Sequence, residues 1–162
     1  MLSTFRIALA VTVAFSVSLP APMASAQSLN DRDSKEIADY VLTDAALAKY
    51  TQAIRKLQPL KEQLQKNCDR DEVEGSITKM AARMDELPGV KSAFKAAGMT
   101  SREYLVFSFS VFQNGLAAYA LDQPGGMLPP GVKMSNVNFF RAHEAKLNEL
   151  GEINKLADCD NR

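Results

Sequence analysis

Between Thr100 and Leu121 the chain carries a helix signature that leaves few folds open. Thr100-Ser101-Arg102-Glu103 matches a capping box, in which the threonine hydroxyl and the glutamate carboxylate each accept a free N–H at the helix start. After it come Tyr104-Leu105-Val106-Phe107-Ser108-Phe109-Ser110-Val111-Phe112, then the stretch Leu116 to Leu121. A helix apolar almost all round is either a central buried helix or a membrane span. Ser108, Ser110, Gln113, Asn114 and Gly115 place too many polar groups within one span length for the second choice. A buried helix needs other helices packed round it, so the expected class is all-α.

The flanking segments supply them. Thr43 caps a helix in which Leu47, Tyr50, Ile54, Leu57 and Leu64 recur at three- and four-residue spacings, opposite Lys49, Gln52, Arg55 and Lys56. Pro59 lacks a backbone donor and predicts a kink or break there. Val73, Ile77, Met80, Met84 and Leu87 predict a second helix, Asp71 to Leu87, ended by Pro88-Gly89. Val90 to Ala97 reads as a short third, stopping at Gly98. Prolines and glycines make Asp122 to Met134 a loop, after which Ser135 caps a last helix with the inner stripe Val137, Phe140, Leu147 and Leu150. Residues 27–42 read as an N-terminal arm or a short helix, and 43–162 as the helical domain. The expected architecture is a small antiparallel bundle of four to five helices behind a cleaved leader.

That leader is Met1 to Ala26. One positive charge (Arg6) precedes an apolar stretch from Ile7 to Leu19, and Ala24-Ser25-Ala26 supplies the small residues of a cleavage site before Gln27. The apolar run falls short of the roughly 20 residues of a spanning helix, so no stable membrane insertion is expected after cleavage. Export implies a soluble periplasmic or secreted protein. In an oxidising compartment, the even pair Cys68 and Cys159 reads as one disulfide. It would close a loop of about 90 residues and contribute roughly 4 to 5 kcal/mol by chain entropy.

Composition narrows function mostly by exclusion. Removing the leader takes away Arg6 alone, leaving 18 basic and 19 acidic residues, a net of −1. Such a balance offers no basic stripe for nucleic acid. No Gly-x-Ser-x-Gly, phosphate-cradling glycine loop, zinc spacing or calcium loop is present, so the sequence points away from an enzyme and calls for no cofactor or metal. His143 is the only histidine and lies on the inner stripe of the last helix, which leaves noncovalent haem or metal binding through it as the alternative reading. The leading expectation is an exported, non-enzymatic helical protein that binds a small apolar ligand or an envelope protein. Its pocket would be lined by Tyr104, Phe107, Phe112, Tyr119, Phe140 and His143, with the loop Asp122 to Ser135 as a rim.

Overall fold

The computed structural model describes residues 29–66 and 76–154, and every regular element among them is helical. The expected leader, Cys68 and Cys159 lie outside the described residues, and with them the expected disulfide. Seven α-helices and one 3₁₀ turn follow in order: α1 (Asp31–Asp39), α2 (Asp44–Leu57), the 3₁₀ turn Gln58–Leu60, α3 (Lys61–Lys66), α4 (Ile77–Glu86), α5 (Val90–Ala96), α6 (Ser101–Leu121) and α7 (Met134–Asn154). Because α2, the turn and α3 run on end to end, six helical rods result where four or five were expected. The additional rod is α1, whose nine residues are too few for a strong periodic signal.

Local chemistry explains most of the boundaries. Asn30 caps α1: its Oδ1 accepts from the Asp33 N–H at 2.9 Å. Thr43 caps α2 by accepting from Ala46 N–H at 3.2 Å. Pro59 falls at the start of the 3₁₀ turn, where its missing donor costs least. Ser76 is extended, with φ −137°, and α4 begins at Ile77; the part of the expected helix from Asp71 to residue 75 lies outside the described residues. Past the end of α5, Gly98 adopts φ +74°, and Met99 N–H reaches Phe94 O at 3.2 Å while Gly98 N–H reaches Lys95 O at 3.1 Å. That double closure demands the left-handed conformation a glycine takes without strain. Helix α7 starts at Met134, one residue ahead of the expected cap, with Lys133 O accepting from Asn136 and Val137.

α6 packs against α1, α2, α4 and α7, while α5 lies against α2 and α4. The main core gathers Tyr50, Ile54 and Leu57 of α2, Val90 and Phe94 of α5, Tyr104 and Phe107 of α6, and Leu147 and Leu150 of α7. The extended link Tyr40–Thr43 is held to α7 by one buried side chain. Asn136 Oδ1 accepts from Leu42 N–H at 3.0 Å, and its Nδ2 donates to Tyr40 O at 2.8 Å. Both ends of the amide are used, as burial of a polar group requires. One expectation fails: α6 is buried along one face only, because its four neighbours do not close round its C-terminal half.

Candidate functional site

The first turn of α6 is locked into the fold. Its capping box forms as the sequence implies: Glu103 N–H donates to Thr100 Oγ1 at 3.1 Å, and Thr100 N–H donates to a Glu103 carboxylate oxygen at 2.7 Å. One residue away, Arg102 ties three helices together. Its guanidinium donates to Asp33 Oδ1 at 2.8 Å and to both Glu36 oxygens on α1, and to Thr78 Oγ1 at 2.7 Å on α4. Asp33 is fully buried, and its other oxygen accepts from Ile77 N–H and Asn30 Nδ2, each at 2.8 Å. Burial alone would push the Asp33 carboxyl up. The donations from Arg102, Ile77 and Asn30 outweigh it and hold the group below the ordinary aspartate value. Glu36 and Asp33 in turn raise the pKa of Arg102. Every partner is satisfied within the protein, so this cluster fastens helices.

A cleft of about 360 Å³ opens beside that turn, lined by Asp85, Lys91, Phe94, Lys95, Gly98, Met99, Thr100, Ser101 and Glu103. Much of its polar wall is committed elsewhere. Asp85 accepts from the Ser101 hydroxyl and lies 4.0 Å from Lys91 Nζ, and Glu103 closes the capping box. None of the six residues expected to line an apolar pocket borders it.

Those six residues divide among three places. Tyr104 and Phe107 are core residues: the Tyr104 ring stacks on Tyr50 at 5.0 Å, and Phe107 lies 4.5 Å from the same ring. Phe140 and His143 sit on the α7 side. The Phe140 ring covers Gly115, where an added Cβ would come within 3.0 Å of it. His143 Nε2 lies 3.1 Å from Asp44 Oδ1, its ring 4.3 Å from that of Phe139. No group of three or more His, Cys, Asp or Glu side chains fit to hold a metal occurs among the described residues. Phe112 and Tyr119 face outward, 64% and 68% exposed.

With Leu116, 55% exposed, they make the second half of α6 inside out. At 100° per residue, Phe112, Leu116 and Tyr119 fall within about 60° of one another on one side. Ser110 and Asn114 take the opposite side and are fully buried. Ser110 Oγ donates to Ile37 O at 3.2 Å, and Asn114 Nδ2 donates to Ser110 O at 2.7 Å. Asn114 Oδ1 is buried without a hydrogen-bond partner, which costs about 1 to 3 kcal/mol. Polar groups inside and large apolar groups outside oppose solvation by water, so this half of the helix is the feature that folding alone does not account for.

The stripe has a regular period. Leu105 and Phe109 continue the spacing toward the N-terminus, so Leu105, Phe109, Phe112, Leu116 and Tyr119 repeat at 4, 3, 4 and 3, although the first two are half-buried against Ile37, Ile77 and Val106 of the chain's own core. That is the seam a second helix takes. The repeat is written in the sequence, yet the apolar residues crowding the other faces of α6 hide it. At the C-terminal end of α6, Arg141 of α7 pairs with Asp122, 2.6 Å apart, and also donates to Ala118 O. In the loop Asp122–Lys133 Met127 is exposed; next to it, a Cβ on Gly126 would collide with the Ala120 carbonyl, so the loop lies hard against the last turn. Leu128 and Val132 of that loop pack on Ala117, Ala118 and Val137 and brace α6 against α7. No protein-family model, curated protein or solved structure matches the chain.

Proposed function

We propose that this chain is an exported, non-enzymatic protein of the cell envelope, a small antiparallel helical bundle freed from its leader, and that it binds a protein partner through the outward face of α6. The observation that carries the reading is the row Phe112, Leu116 and Tyr119, each more than half exposed, backed by buried Ser110 and Asn114. Large aromatic and aliphatic side chains clustered on a surface are the usual anchors of protein interfaces, because each gains the free energy of leaving water once covered. A partner helix fits better than a small ligand, since the row is convex and continuous over two turns, whereas small molecules take concave sites.

Two experiments test this. The amino terminus of the protein recovered from the envelope or medium is expected at Gln27; retention of Met1 in the cytoplasm would sink the export half. For the binding half, a photo-crosslinking residue replaces Leu116 in living cells, with the exposed α7 position Asn148 as control. Adducts are expected from position 116 and not from 148. Equal labelling at both, or none at 116, overturns the assignment of the face.

A further inference from the structure

Resting on that reading, we infer that the partner is a second copy of this chain, with the two α6 seams paired antiparallel about a twofold axis. Three observations lead there. The first is charge: from Tyr104 to Leu121 there is no Asp, Glu, Lys or Arg. A face without charge selects no charged partner and is complementary to itself, while antiparallel pairing also opposes the two helix dipoles.

The second is width. Phe112, Leu116 and Tyr119, the exposed members of the seam, lie in one line within about 60° of arc, the breadth that a single helix laid along it covers.

The third is symmetry. With the axis between Phe112 and Leu116, Phe112 of one copy packs on Leu116 of the second, and Tyr119 of one meets Phe109 of the second. All four positions are large and apolar, Phe112, Leu116 and Tyr119 exposed and Phe109 half-buried with its remaining surface free, so a single face satisfies the self-complementarity that a twofold interface demands. The three exposed side chains offer roughly 400 Å² per copy, about half the ~800 Å² per partner of a standard interface. An interface of that size is a weak and reversible one, populated at concentrations well above about 1 μM.

Sedimentation equilibrium tests this on protein expressed from its full coding sequence, between about 1 and 500 μM. The expected result is a concentration-dependent dimer whose dissociation constant rises by about 100-fold or more in Leu116→Lys, with Asn148→Lys unchanged. Tyr119→Lys repeats the test should Leu116→Lys lower the helical circular dichroism. A monomer at every concentration overturns the proposal, as does a dimer indifferent to both seam lysines. So does a monomer that floats with neutral phosphatidylcholine vesicles and loses flotation in Leu116→Lys, which would assign the seam to lipid. A monomer in solution that still crosslinks at position 116 to another protein in cells removes the second copy and leaves the docking face standing.

Discussion

Phe107 and Phe112 stand five residues apart on one helix and meet opposite fates. Phe107 is 0% exposed, its ring tilted against Tyr50, with Tyr40 edge-on at 6.3 Å. Phe112 is 64% exposed. Nothing in the residue type separates them; the neighbours do. In the first half of α6, the link after α1 and helices α2 and α5 bring Tyr40, Tyr50 and Phe94 to its rings. The second half is met by α7 and the loop Asp122–Lys133 on its inner side, and its outer side is left bare. Hydropathy along a helix thus measures how much apolar surface must be covered, and tertiary structure decides which part of it is.

The largest effect should come from emptying the enclosed ring site of the first half. Phe107→Ala removes a fully enclosed ring and should cost about 4 kcal/mol of unfolding free energy, through lost transfer energy and the cavity left behind. Urea denaturation followed by circular dichroism reads it directly. A loss under about 1 kcal/mol would mean that the first half is not the packed one.

Next in size is the clamp that pins the first half. Asp33→Ala strips the buried Ile77 N–H of its acceptor and leaves Arg102 with Glu36 and Thr78 alone, for an expected loss of about 3 kcal/mol. Its pH dependence has a definite sign. The folded pKa of Asp33 lies below that of the unfolded chain, about 3.9, so its stabilisation is whole above about pH 4 and lost as pH falls through the folded value. The difference in urea midpoint between the parent and Asp33→Ala should narrow from pH 5 to pH 2.5. A constant difference would show that the carboxylate charge contributes nothing.

The clamp and the bare face were unequally legible in the sequence. Capping residues announce themselves locally, so Thr43, Thr100 with Glu103, and the stop at Gly98 could be read from a few neighbouring letters. Asp33 could not. Its value comes from Arg102, 69 residues away, and from the amide of Ile77. Phe112 and Tyr119 were legible as apolar and illegible as exposed, because assigning them to a pocket presumed walls that the other helices do not supply. The polar pair Ser110 and Asn114 was the available clue, since side chains expected on the wet face occupy the dry one.

A smaller effect should separate making the first half from packing it. Thr100→Ala deletes the acceptor for Glu103 N–H and with it half of the capping box, at about 1 kcal/mol. Because α6 is held further along by Arg102 and the core rings, the loss should appear in stability and leave the helical circular dichroism at 25 °C unchanged. Fraying visible as lost ellipticity would mean that the cap, rather than the clamp, anchors the helix.

The smallest expected effect tests the bare half most sharply. Phe112→Ser replaces a ring already mostly in water, so little transfer free energy is lost, and in dilute solution the stability should stay within about 0.5 kcal/mol of the parent. Such neutrality is informative because the same ring type five residues earlier should cost about eight times as much. At concentrations where the chain self-associates, the parent gains stability by mass action and Phe112→Ser does not. The two thermal midpoints should therefore coincide near 1 μM and separate as concentration rises. If they separate already at 1 μM, Phe112 is packed against its own chain, and the two halves of α6 are less different than its exposure implies.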